Sequence, residues 1–267
     1  MIGDRQVIAI IFAGGAGQRL RESCAYNFVQ NLPKQFLDVN GCPILIHTLN
    51  IFQQNDKVDK IYIATHKDYF EYTKELVEKY KITKIAGITI GAGTALGSQY
   101  NALKLAQQEN PGNSIVLIHD GVRPNVTQQT LENVISGTLE NGNAITCTSC
   151  FETALISADG KTVDKVPYRK NAFTAQAPQG FLLDELLQAH DTIRKTNPKY
   201  DDIVDCCTMY KTLEKPVFMV PGNRGNIKIT TIEDLYLLRG YIRYNEDKMI
   251  VERSKILIDK YENKSQK

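Results

Sequence analysis

The sequence lacks the features that mark several whole classes of protein. It has no surplus of either charge: 32 Lys and Arg stand against 30 Asp and Glu, a net +2. A nucleic-acid binder would show a basic stripe or excess, and the cations here are spread along the chain. It has no long hydrophobic run. The apolar stretch in "MIGDRQVIAIIF" is far too short to span a bilayer and carries no cleavage pattern. A cytoplasmic protein with no membrane and no nucleic-acid partner is expected. Its four histidines, His47, His66, His119 and His190, show no metal-ligand spacing. There is no internal repeat and no low-complexity segment. The six cysteines lie in a long chain without a secretory signal, where free thiols are the rule. Cys147 and Cys150 have C-x-x-C spacing, but "AITCTSC" reads as a strand in which they face opposite sides, against a redox or zinc site.

What is present is ordinary globular composition, with 267 residues of which 42% are hydrophobic and 23% charged. The length suits one large domain, or one domain with an appendage. Such a chain buries roughly three quarters of its unfolded surface and needs no metal or disulfide as a staple.

Short β-branched apolar runs alternate with amphipathic stretches. Strands are expected at 6–12, 60–65, 84–91, 114–120 and 144–150, and helices at 43–54, 67–80, 94–108 and 127–141. This rhythm predicts an α/β fold: a doubly wound, mostly parallel, Rossmann-like sheet covered on both faces. Ligands of such sheets bind beyond the carboxyl ends of the strands. The rhythm breaks at 151–181, where "SADGK" reads as a turn in a β-arm leaving the main sheet. It resumes with a strand at 216–222, an extended "NIKIT", and a helix at 231–246 with Thr231 and Asp234 placed for a capping-box variant. A single domain over 1–246, including an arm at about 151–180, and a solvated helical tail over 247–267 are expected.

Four motifs carry chemistry. In "IFAGGAGQRL", Gly14, Gly15 and Gly17 permit left-handed angles and close approach of backbone N–H groups to an anion, and Arg19 could grip a phosphate bidentately. The pattern is neither G-x-G-x-x-G nor a Walker loop, which sets aside an NAD-dependent oxidoreductase. A tight strand-to-helix turn is the structural alternative. In "NLPKQFL", Lys34 could aim a second cation at the same anion; alone it would be a loop lysine. In "IHDGVRP", Asp120 at the mouth of a buried strand suits Mg²⁺, which takes one or two carboxylates plus phosphate oxygens. Its structural alternative is a turn cap salt-bridged to Arg123. In "GNIKITT", Lys228 faces away from Ile227 and Ile229 and needs a partner, either a phosphate or Asp120.

Taken in order, G-G-x-G-x-R, P-K-Q-F-L, H-D-x-x-R-P, A-P-Q-x-F and N-I-K-I-T-T-x-E-D-L resemble the cytidylyltransferases that make CDP-activated alditols and isoprenoid precursors. These are the ribitol-5-phosphate and 2-C-methyl-D-erythritol 4-phosphate enzymes, and the resemblance runs from about residue 5 to about 245. It implies attack of a polyol phosphate on the α-phosphorus of CTP, with no covalent intermediate and pyrophosphate leaving. Catalysis would be positioning and charge neutralisation. By the same resemblance, Arg19, Lys34 and Lys228 are catalytic cations and Asp120 holds the divalent cation, Mg²⁺. Ala13, Gly14, Gly15, Gly17, Gly91, Ala92, Gly93, Ser98, Asp120 and Gly121 enclose the nucleotide. Arg123, Arg169 and Asp205 serve the acceptor, with Arg169 reaching from the arm across a homodimer.

Three departures from the family pattern stand out. The loop between Arg19 and Lys34 is long, with an insertion over 20–31. Ala95 stands where arginine is usual, and Ala177 where threonine is usual. CTP chemistry is expected intact and the acceptor site altered. Ribitol 5-phosphate is the expected acceptor. The alternatives are methylerythritol phosphate and a silent nucleotide-binding relative, which would have no need of all four charges.

Overall fold

The computed structural model describes residues 2–15, 17, 20, 32–197 and 200–262. Its centre is a seven-stranded sheet. Strands β1 (Val7–Ala13), β4 (Lys60–Thr65), β5 (Ile85–Ile90), β6 (Ile115–Asp120), β7 (Asn143–Ser149), β8 (Phe173–Leu182) and β9 (Met219–Pro221) stand in the order β5-β4-β1-β6-β8-β7-β9. The pairs β1·β4, β1·β6, β4·β5 and β7·β9 are parallel, and β8 runs antiparallel to both its neighbours. A separate two-residue ribbon pairs β2 (Asp38–Val39) with β3 (Cys42–Pro43). The expected strand and helix alternation up to residue 150 is present.

The alternation of β1 shows why both faces are covered. Ile8 and Ile10 enter one buried cluster, with Tyr62, Leu103 and Phe181. Val7, Ala9 and Ile11 enter another, with Leu49, Ile63 and Leu131. A strand apolar on both faces can be satisfied only between two helical layers. Helices α1 (Ile44–Gln53), α2 (Phe70–Lys79), α3 (Ala95–Gln107) and α4 (Gln128–Asn141) supply much of them. Thr94 caps α3 by accepting from Gly97 N–H at 3.1 Å, and Thr127 caps α4 by accepting from Thr130 N–H at 3.2 Å. Beyond residue 182 the chain adds α5 (Leu183–Thr196) and α6 (Cys206–Thr212). The buried Leu183, Leu186, Leu187, His190 and Ile193 of α5 keep helical spacing.

Three regions differ from the sequence expectation. Only the first part of 151–181 is an arm. Residues 151–172 project from the sheet, closed by one antiparallel bridge between Ile156 and Lys165 and by Asp159, whose carboxylate accepts from Lys161 and Thr162 N–H. Residues 173–182 return as β8, inside the sheet. That strand is hard to see in sequence because its buried half, Ala177 to Phe181, includes proline, glutamine and glycine. Gly180 is required there, since a Cβ would collide with Thr138 Oγ1. "NIKIT" joins no sheet; Ile229 N–H donates to Val122 O at 3.0 Å and its side chain is buried. The last helix, α7 (Ile232–Glu262), runs unbroken through what reads as a separate tail. Asp234 Oδ2 accepts from Thr230 and Thr231 N–H at 2.7 and 2.8 Å, the capping device expected at its start.

Candidate active site

The carboxyl ends of β1 and β6 and the turn that follows β5 border a cavity of about 450 Å³. The glycine-rich turn after β1 forms one wall. Gly17 has φ +75°, a conformation costly to other residues, and a Cβ there would press on Lys34 N at 3.3 Å. The turn is fixed from below by Gln35. This side chain is 1% exposed, and its Nε2 donates to Ala13 O at 2.6 Å and Gly15 O at 3.2 Å. Both carbonyls are thereby engaged, and Gln35 and Lys34 both line the cavity.

The opposite wall is the turn between β5 and α3. Ser98 holds its shape: Oγ accepts from Ala92 N–H at 3.0 Å and donates to Thr94 O at 2.8 Å. Gly91 and Gly14 meet at the base, where a Cβ on Gly91 would lie 2.8 Å from Ser98 Oγ. Gly14, Gly15, Ala92, Gly93 and Ser98 line the cavity. Gly91 and Gly121 stand behind it. Gly121 packs on Ala13 and Leu45, and its N–H donates to Phe12 O at 3.0 Å.

Asp120 lies at the floor. It is 5% exposed, with Oδ1 on Lys228 Nζ at 2.5 Å and Oδ2 on Arg123 Nε at 2.7 Å. Burial alone would raise its pKa, but the adjoining Lys228 and Arg123 outweigh it and hold the carboxyl well below the usual range. Asp120 is therefore charged. Arg123 also donates to Asn226 O at 2.9 Å, which ties β6 to the segment that carries Lys228. Both structural readings of this motif, the Asp120–Arg123 bridge and the Lys228–Asp120 pair, are present.

A second cavity of about 200 Å³ opens on the other side of Asp120, Arg123 and Lys228. Phe12, Asp120 and Lys228 line both cavities. Arg123, Ala177 and Asp205 line the second. Asp205 caps α6 by accepting from Thr208 N–H at 2.8 Å, and accepts from Gln179 Nε2 at 3.1 Å. Arg169 lies at the end of the exposed arm, near β7 where the chain returns into β8, and lines neither cavity of its own chain. Arg19 and most of the 20–31 insertion fall outside the described residues.

Sequence reasoning missed Gln35, Gln99, Asn226 and Gln179. Gln35 stood in plain view in P-K-Q and Gln99 beside Ser98, but an amide has no charge to draw attention to it. Asn226 is fully buried and donates to Ala177 O at 2.5 Å, a contact no local pattern signals. Among the described residues no group of three or more His, Cys, Asp and Glu could hold a metal without a ligand's help.

A cavity walled by backbone at the end of a parallel sheet suits a nucleotide, and a smaller one opening on the same aspartate suits its acceptor. The class these define is the nucleotidyltransferase. More narrowly, the chain belongs to the IspD family, 2-C-methyl-D-erythritol 4-phosphate cytidylyltransferase, which matches residues 7–244. It is 33% identical over 244 residues to ribitol-5-phosphate cytidylyltransferase of Streptococcus agalactiae serotype III (strain NEM316), covering 91% of this chain and 98% of that one. It is 34% identical over 228 residues to 2-C-methyl-D-erythritol 4-phosphate cytidylyltransferase of Clostridium botulinum (strain Okra / Type B1), covering 85% and 93%. Among solved structures it resembles 4-diphosphocytidyl-2C-methyl-D-erythritol synthase of Anaerococcus prevotii DSM 20548, with TM-score 0.75, 26% identity and coverage of 90% and 96%. The chain is thus a cytidylyltransferase.

Proposed function

We propose that this chain transfers the cytidylyl group of CTP to ribitol 5-phosphate, giving CDP-ribitol and pyrophosphate. The observation that carries the reading is the Asp120–Lys228 pair, which lines both cavities at once. CTP occupies the larger, with cytosine and ribose against Ala13, Gly14 and the 91–93 turn. The acceptor occupies the smaller. An oxygen of its phosphate attacks the α-phosphorus in line; the bond to the β-phosphate oxygen breaks and pyrophosphate departs. Lys228 neutralises charge developing at the α-phosphate, and Lys34 and Arg19 hold the departing phosphates. Preorganised charge of this kind is commonly worth about 10²–10³ in rate per group. Two relatives named ribitol-5-phosphate cytidylyltransferase, at 33% and 32% identity, support the choice of acceptor.

The residues present fit Mg²⁺. Asp120 offers one carboxylate to the larger cavity, and Mg²⁺ commonly takes one or two carboxylates with substrate phosphates. The ion would offset triphosphate charge when bound; Asp120 itself orients Lys228 and Arg123. We also propose a homodimer through the arm. Phe151, Leu155, Ile156, Val163, Val166 and Tyr168 are all at least half exposed there, an apolar surface that calls for cover. Arg169 would then reach the acceptor phosphate in the neighbouring subunit. A cytoplasmic place of action accords with CTP as substrate, and among the described residues no helix is long and apolar enough to cross a membrane.

The test is pyrophosphate release with CTP and Mg²⁺ against a panel of pentitol and tetritol phosphates. Ribitol 5-phosphate is expected to give the highest kcat/KM. Faster turnover of methylerythritol 4-phosphate would favour the second reading, which the family description supports. CTP binding with no release from any member would contradict both.

A further inference from the structure

The second cavity is lined by an uncharged polar side chain whose donors no protein acceptor takes up among the described residues. Gln99, in the second turn of α3, is 2% exposed and lines this cavity. Its Oε1 accepts from Cys206 Sγ at 2.9 Å. Cys206 is fully buried on α6, and burial pushes its thiol well above the ordinary range, so it remains an S–H donor. The thiol therefore selects which end of the amide faces inward. Gln99 Nε2, with two N–H donors, has no acceptor among the described residues. Nε2 is not sealed in the interior but opens on the cavity, so its donors are left to bond whatever fills that space.

The other polar groups of that wall are already engaged. Asp205 accepts from Gln179 and from Thr208 N–H, and Gln179 Oε1 accepts from Cys207 N–H at 3.2 Å. Gln176, also on this wall, donates from Nε2 to Asn223 O at 3.3 Å and accepts from Asn226 Nδ2 at 3.4 Å, while Ala175, Ala177 and Val204 line the cavity without side-chain hydrogen-bonding groups. What remains is an uncharged donor pair in a space sized for a small polyol, across from Lys228 and Arg123, which suit the phosphate end. An amide donor matches a hydroxyl oxygen.

We propose that Gln99 donates to a hydroxyl of the acceptor polyol and so helps decide which polyol phosphate is accepted, with Cys206 as the positioning residue behind it. This rests on reading the second cavity as the acceptor's. A site built to bond a hydroxyl discriminates strongly against substrates that lack it, which gives the role a signature separable from packing.

The experiment compares wild type, Gln99→Leu and Cys206→Val on the preferred polyol phosphate and on its monodeoxy analogues, one hydroxyl removed at a time. Gln99→Leu is expected to lower kcat/KM for the intact acceptor about 10-fold, with the KM for CTP within twofold. On one analogue that penalty is expected to vanish. Cys206→Val should show a smaller loss that vanishes on the same analogue, and Cys206→Ser, which keeps a donor to Gln99, should restore the wild-type pattern. An equal loss on every analogue, or no loss at all, would overturn the assignment. Should Gln99→Leu melt far below wild type, the Cys206→Val pattern decides alone. Failure of wild type to turn over any polyol phosphate would instead overturn the reading of the cavity, and this inference with it.

Discussion

The two halves of the cleft are built in different ways. The nucleotide half is made of short local segments, a glycine turn, a P-K-Q loop and a helix start, each held by its own neighbours: Gln35 under the turn, Ser98 inside the other wall. The acceptor half is assembled from side chains far apart in sequence, Gln99, Arg123, Ala177, Gln179 and Asp205. Arg169, the cation expected to read the acceptor phosphate, lies outside it on the arm. Among the described residues the first half is lined by one chain's own segments, and the proposed dimer would bring Arg169 to the second. Substitutions should therefore separate into those that disable the chemistry at the junction and those that affect one substrate only.

The largest effect is expected at the junction. Asp120→Ala leaves Lys228 and Arg123 facing each other without their shared carboxylate, and kcat should fall about 10³-fold, with a lower melting temperature. Retained turnover would remove Asp120 from the mechanism. Lys34→Ala should cost about 10²-fold in kcat with both substrates saturating. Arg169→Ala belongs to the acceptor half alone: its KM for ribitol 5-phosphate should rise about 10- to 100-fold, the size of a lost charge-assisted bond, with the KM for CTP unchanged. The reverse pattern would break the comparison. Gln35→Leu loosens the glycine turn, and a KM for CTP raised several-fold with the acceptor KM intact is expected.

The smallest effect near neutrality concerns stability. Burial lowers His119 and His190 to about 4 from 6.5. Both are neutral in the folded chain at pH 7, while the unfolded chain takes up their protons below about pH 6.5. The unfolded state then binds more protons, so stability is lost as pH falls from about 6.5 to 4, by up to a few kcal/mol for each histidine. Thermal melts across that range, with His119→Gln and His190→Gln flattening the slope, check the sign.

The same division governs what could be read from sequence. The first 150 residues repeat strand and helix with clear apolar periods, and the nucleotide segments are contiguous, so both fold and motifs are legible. Lys228 was visible as a lysine in need of a partner, and Asp120 is that partner. Strand β8 was hidden because "APQG" carries little apolar signal, while tertiary packing on Val134 and Thr138 decides its place. Helices α5 and α6 lie in a stretch where the regular rhythm had ended. Gln99 and Cys206 are 107 positions apart, and only the fold brings them together.

The most direct test of the central claim, that transfer occurs where the two cavities share Lys228, is a single-turnover measurement on Lys228→Met. CTP and acceptor are both saturating, and CTP affinity is measured alongside. At least a 100-fold slower cytidylyl transfer is expected, with CTP still bound within several-fold of wild type. A transfer rate close to wild type would place the chemistry elsewhere and contradict the account.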